Sequence, residues 1–138
     1  MKLYIFDIDG TLTDTTAVDD KCFIRTFERF FGTPLATIDF TKFQHVTDWG
    51  ITEDLFLQTK GRTITPEEMN AFQTAFVQDL REEVSADKQQ FAAIKGAAHY
   101  IRQLKAKQDI AIALATGAWR ASATVSYTHL TLPTICSV

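Results

Sequence analysis

Leu3-Tyr4-Ile5-Phe6-Asp7-Ile8-Asp9-Gly10-Thr11 opens with an apolar run, then sets two carboxylates two residues apart, then a glycine and a threonine. Consecutive apolar residues are the pattern of a strand buried on both faces in a parallel sheet. Gly10 suits a sharp turn. The stretch predicts a strand over residues 3–7 that runs into a carboxylate-lined turn, a setting for a divalent cation and a phosphate.

A second apolar run, Ile110-Ala111-Ile112-Ala113-Leu114-Ala115, predicts a buried strand over residues 109–115 that stops at Thr116-Gly117. Helical patterns fill the space between. Residues 18–31 carry Phe23, Phe27, Phe30 and Phe31 on one stripe, ended by Gly32 and Pro34. A polar and aromatic link over residues 39–49 follows, then a helix over residues 51–60 stopped by Gly61. Thr65-Pro66-Glu67-Glu68 is a helix start, with a threonine cap, a proline in the first turn and acidic residues at the positive helix end. That helix should run to about residue 84 with Met69, Phe72, Phe76 and Leu80 inward. Another should cover residues 97–107, after Gly96.

This order predicts an α/β fold. The outer pieces form one right-handed βαβ crossover, and a large helical insertion begins directly after the carboxylate turn. An insertion there sits over the carboxyl ends of the strands, where open α/β sheets bind ligands.

Bulk properties narrow the function. The chain has 138 residues, enough for one domain or a small domain with an insert. With 46% hydrophobic and 22% charged residues its composition is globular. Net charge is -3 and no Lys/Arg cluster stands out, which argues against nucleic-acid and membrane partners. The first apolar run is too short for a signal peptide, and Asp7 interrupts it. Cys22 and Cys136 show neither a CxxC pattern nor metal-ligand spacing, so a reducing, cytoplasmic setting is expected. Oligomeric state is not legible.

Asp7-Ile8-Asp9-Gly10-Thr11 resembles the first signature of the haloacid dehalogenase-like hydrolase superfamily. Ala113-Leu114-Ala115-Thr116-Gly117 resembles its second. The helical insertion is similar to the α-helical cap of the phosphoglycolate-phosphatase and β-phosphoglucomutase-like branch. The resemblance covers about residues 1–123. It implies a Rossmann-like core from residues 1–14 and 91–123, and a cap from residues 15–90. It also implies a Mg²⁺-dependent phosphohydrolase of small phosphate monoesters, acting through an aspartyl-phosphate. Asp7 would be nucleophile and metal ligand. Asp9 would be general acid and then base, its carbonyl also binding metal. Thr116 would donate its hydroxyl to the phosphoryl oxygens, with Gly10, Thr11, Gly117 and Ala118 around the substrate. Asp at position 9 favours phosphate esters over halides, because a halide leaves without a proton. A small phosphorylated metabolite is the implied partner. A phosphomutase and a non-catalytic binding module or truncated product are the alternatives.

Other candidates are weaker. Thr47 and Asp48, with Trp49, lie where the resembled cap faces the substrate; a solvated turn is the competing reading, and Trp49 suits a core. His45 and His99 suit packing or surface positions. Asp14 and Asp20 face the cleft or favour the start of the first long helix, the second reading being placed first; Arg120 approaches a phosphate or, as the favoured reading, lies on an exposed helix face.

The chain departs from the resembled family after residue 123. The family's later lysine and acidic signatures have no match, because residues 124–138 contain no Lys, Arg, Asp or Glu. Val125-Ser126-Tyr127-Thr128-His129-Leu130-Thr131-Leu132-Pro133-Thr134 resembles a translated sequencing-library transposon adapter. Residues 124–138 are therefore expected to be an artefactual tail, Cys136 included, on a partial core. A two-stranded parallel sheet leaves apolar edges open, so the chain as written is expected to be marginally folded and inactive or nearly so, and its complete parent active.

Overall fold

The computed structural model describes residues 1–35, 39–44 and 46–127, with backbone alone at position 40. Expectations for His45, Cys136 and residues 128–138 lie outside these residues. In chain order the elements are β1 (Lys2–Phe6), α1 (Thr16–Phe31), α2 (Asp48–Lys60), α3 (Pro66–Ala86), α4 (Ala97–Lys105), β2 (Ile110–Leu114) and α5 (Arg120–Tyr127). Short 3₁₀ turns occupy Phe40–Lys42 and Lys88–Phe91.

β1 and β2 pair in parallel, with Lys2 opposite Ile110 and Phe6 opposite Leu114. The backbone N–H of Ala115 extends the ladder by donating to Phe6 O at 2.9 Å. This register ends both strands at one level, so the two chemistry-bearing turns leave the sheet side by side.

Local chemistry explains the helix ends. Thr65 and Glu68 form a reciprocal capping box at the start of α3, with Pro66 in the first turn. Gly32 and Gly61 end α1 and α2 in the left-handed conformation. α2 begins earlier than its apolar pattern suggested, because the Thr47 hydroxyl accepts the Gly50 N–H at 3.2 Å and caps the helix.

Two apolar clusters hold the chain. The larger joins α1, α2 and α3 around Phe23, Phe27, Phe56, Phe72 and Phe76, and it includes Trp119. Phe72 meets Phe23 edge-on at 5.5 Å and Trp119 at 5.9 Å, geometries that suit ring quadrupoles. Beneath it, Thr26 and Arg29 of α1 bond the Asp79 carboxylate of α3 at 2.6 and 2.7 Å. The smaller cluster gathers Ile8, Leu12, Ile101, Leu114 and Ala123 under the strand ends.

Two expectations need correction. β1 is not buried on both faces: Leu3 and Ile5 are 59% and 60% exposed, while Tyr4 and Phe6 are half-buried. Phe6 packs edge-on against Tyr100 of α4 at 6.2 Å, and among the described residues nothing covers the opposite face. Trp49 is 44% exposed rather than in the core. α5 was not anticipated; Thr124 to Tyr127 continue it, and Val125 belongs to the larger cluster. Among the described residues no helix is long and apolar enough to cross a membrane.

Candidate active site

The turn after β1 is built by convergence on one carbonyl. Ile8 O accepts the N–H groups of Thr11, Leu12 and Thr13 at 3.1, 2.8 and 3.0 Å, and the Thr13 hydroxyl at 3.2 Å. Ile8 and Leu12 anchor the turn from below, each almost fully buried. Gly10 takes φ +76°, and a Cβ there would lie 3.1 Å from Thr16 Oγ1, so the turn calls for glycine. The Ile94 N–H donates to Leu12 O at 3.0 Å and the Asp14 N–H to Ala92 O at 2.9 Å, fixing the far side.

With Ile8 inward, Asp7 and Asp9 point the other way. Asp7 is exposed, and its Oδ1 accepts its neighbour Ile8 N–H at 2.8 Å. Asp9 is half-buried and accepts a short hydrogen bond from the Thr15 hydroxyl. Thr15 in turn pairs with Thr13 at 2.6 Å, and both threonines are fully buried. Burial pushes the Asp9 carboxyl above its ordinary range, the Thr15 bond opposes this, and the Asp7 charge adds to it.

The loop after β2 lies alongside. Thr116 Oγ1 accepts the Ala118 N–H at 3.1 Å. The backbone of Val46 crosses Gly117 so closely that a Cβ there would sit 2.3 Å from Val46 O. The Asp48 N–H donates to Gly117 O at 2.9 Å, and Asp48 Oδ2 accepts the Trp119 N–H at 3.0 Å and the Ser122 hydroxyl at 3.4 Å.

Together these elements line a cavity of about 290 Å³. Asp7, Asp9, Thr116, Gly117 and Ala118 meet there. Thr16, Asp19, Asp20 and Phe23 of α1 form one wall, and Val46, Asp48 and Ile51 another. Gly10, Thr11 and Thr47 do not line it; the Thr47 hydroxyl is engaged in capping α2. Asp14 and Arg120 are also outside it, and His99 lies exposed on α4.

Five carboxylates face this cavity, and no Lys or Arg lines it among the described residues. Burial, reinforced by the neighbouring charges of Asp48, Asp9 and Asp20, pushes Asp19 well above the usual carboxylate range. Burial, then the charge of Asp9, raises Asp20 as well. Asp48 is pushed up to about 6, chiefly by burial, with the Trp119 N–H bond opposing. The reading of the sequence passed over Asp19 and the orienting hydroxyl of Thr15. Thr16, Asp19, Asp20 and Phe23 follow the i, i+3, i+4, i+7 spacing of one helix face; that spacing was the available signal.

The family model of the haloacid dehalogenase-like hydrolases matches residues 4–138. Among solved structures, a hydrolase from Pseudomonas syringae superposes with a TM-score of 0.71 at 19% identity, covering 100% of this chain and 61% of its own. A predicted phosphoglycolate phosphatase from Haemophilus somnus 129PT gives 0.61 at 18% identity, covering 98% and 65%. A phosphonoacetaldehyde hydrolase-like protein from Oleispira antarctica gives 0.60 at 18% identity, covering 98% and 51%. The chain thus spans less than two thirds of each of these structures. No curated protein matches the sequence. With an Asp7-to-Thr11 turn and a Thr116 loop at adjacent strand ends, and a family match over almost its whole length, the chain belongs to the haloacid dehalogenase-like hydrolases.

Proposed function

We propose that this site is built for Mg²⁺-dependent hydrolysis of a small phosphate monoester through an aspartyl-phosphate on Asp7. The observation that carries the reading is the parallel register: it sets Asp7, Asp9 and Thr116 at adjacent strand ends around one cavity.

In the first half-reaction an Asp7 carboxylate oxygen attacks phosphorus, and the bond to the leaving alcohol oxygen breaks. Asp9 gives its proton to that oxygen. Its raised pKa supports the protonated form this requires, and the Thr15 hydroxyl holds one carboxylate oxygen in place. In the second half-reaction Asp9 takes a proton from water. The water oxygen attacks phosphorus, the bond to Asp7 breaks, and inorganic phosphate leaves. Splitting the reaction lets a weak carboxylate nucleophile work. The Thr116 hydroxyl is suited to hold a phosphoryl oxygen.

Five carboxylates without a basic partner among the described lining residues would repel a phosphate, so the donor set fits a cation. No group of three or more His, Cys, Asp or Glu among the described residues is gathered for a metal. Mg²⁺ nonetheless commonly takes only one or two carboxylates and completes its shell with water and phosphate oxygens. The Asp7 carboxylate and Asp9 carbonyl would hold it. When bound, it supplies neutralisation of phosphoryl charge.

The test is turnover of p-nitrophenyl phosphate with and without Mg²⁺, for a protein that carries this chain's site together with the family's later lysine and acidic signatures, and for its Asp7→Asn variant. The reading expects Mg²⁺-dependent release that falls at least about 1,000-fold in Asp7→Asn. Turnover that survives the substitution would sink the nucleophile assignment.

A further inference from the structure

We infer that Asp48 is a positioning residue that clasps the start of α2 to the loop carrying Thr116, so that covering the cavity and shaping that loop are one event. The catalytic consequence rests on the reaction proposed above; the clasp itself does not.

The contacts run in both directions. The Asp48 N–H donates to Gly117 O, and Asp48 Oδ2 accepts the Trp119 N–H. The Ser122 hydroxyl reaches the same oxygen from within α5. These bonds join residues about seventy positions apart, so they form only when the helices from α1 to α3 and the strand pair are docked. Gly117 has no side chain where the backbone of Val46 passes, and a Cβ there would come within 2.3 Å of Val46 O. That approach has room for nothing larger than hydrogen.

Other contacts shape the loop but do not replace this one. The Ala118 N–H is committed to Thr116 Oγ1, which helps aim that hydroxyl. The next N–H, that of Trp119, goes to Asp48. The Trp119 ring is held from the other side by Phe72 and Phe76 of α3, each 5.9 Å away. Asp48 also sits at the amino end of α5, where a carboxylate is favoured by the helix dipole. Remove its oxygen and the Trp119 N–H loses its acceptor, so the loop is free to turn Thr116 away.

The carboxylates nearest Asp48 are Asp9 in the turn and Asp19 and Asp20 on α1. All are acidic, so the clasp gains nothing from a cationic partner and depends on an acceptor oxygen. Asp48→Asn keeps such an oxygen; Asp48→Ala does not. This separates a clasp from an electrostatic role.

The test is amide hydrogen exchange of the full chain, read by NMR at Trp119, with the α1 and α3 amides of Phe27 and Phe76 as controls of folding. Asp48→Ala should speed exchange at Trp119 about tenfold or more, the effect of losing one hydrogen bond, and leave the controls unchanged. Asp48→Asn should stay within about threefold of the unaltered protein. Gly117→Ala should reproduce Asp48→Ala by pushing Val46 away. Protection of Trp119 that persists in Asp48→Ala, or equal loss in Asp48→Ala and Asp48→Asn, would overturn the clasp. On p-nitrophenyl phosphate, in a protein that carries this chain's site together with the family's later lysine and acidic signatures, the paired expectation is a fall in kcat of about tenfold in Asp48→Ala with KM little changed, rescued by asparagine. Altered exchange with unaltered kcat would leave the clasp standing and refute its catalytic consequence.

Discussion

The three-helix region from α1 to α3 and the two-stranded sheet below it solve different problems. The helices close on themselves: Phe27, Phe72 and Phe76 are fully buried, and their rings contact one another across α1 and α3. The sheet does not close. Leu3 and Ile5 are mostly exposed, while the turn at its end is tied down by bonds to Ile8 O and Ala92 O. Stability is concentrated in the region without Asp7 and Asp9, and the carboxylate turn lies in the region whose apolar face is open. Asp48 and Trp119 are where the first lends order to the second.

The sharpest way to break that contrast is a cavity in the helical core. Phe72→Ala should cost about 3–5 kcal/mol, measured by urea unfolding, because its ring fills the centre of the larger cluster. A cost below about 1 kcal/mol would mean that the phenylalanine cluster does not carry the fold.

Next in size is the response to pH. Asp48 is raised from 3.8 to about 6, chiefly by burial. A group raised in the folded state contributes stability that is fully present below its ordinary pKa and is lost as pH rises through the folded value. Stability should therefore fall between about pH 4 and pH 7, by on the order of 2–3 kcal/mol from Asp48 alone, with Asp19 acting in the same direction. Glu68 in the helical region behaves oppositely. The Arg62 guanidinium, then the Thr65 N–H, holds it down at about 2, so its contribution is lost only in strong acid, as pH falls through that value. Tm measured from pH 4.5 to 7.5 should decline, and Asp48→Asn should flatten the decline. A Tm that rises over this range would contradict the account of the acidic cavity.

The smallest effect belongs to the open face of the sheet. Ile5→Thr keeps a β-branched side chain at an exposed strand position and should change stability by less than about 0.5 kcal/mol. A loss comparable to Phe72→Ala would show that this face is covered in solution.

Much of this was legible in local residue order. Asp7 to Thr11, the apolar run before Thr116 and the Thr65 capping box each state their conformation within a few residues. The parts that were not legible depend on contacts distant in sequence. Trp49 and Trp119 are chemically equal, yet Trp49 lies on an exposed face of α2 while Trp119 is drawn between Phe72 and Phe76. Asp48 read as a substrate contact, because nothing near it in the chain reveals an acceptor role for Trp119, seventy-one residues away. Asp19 carries no local mark of a cavity: an aspartate in the first turn of a helix is ordinary, and only the docking of α1 against the strand ends puts it in the wall.

The central claim is that Asp7 is the atom donor to phosphorus. Beryllium fluoride with Mg²⁺ mimics an acyl phosphate on a reactive aspartate, and ¹⁹F NMR reads the bound adduct without requiring turnover. The account predicts a bound signal that needs Mg²⁺, persists in Asp9→Asn and disappears in Asp7→Asn. A signal that survives in Asp7→Asn would place the nucleophile elsewhere and contradict it.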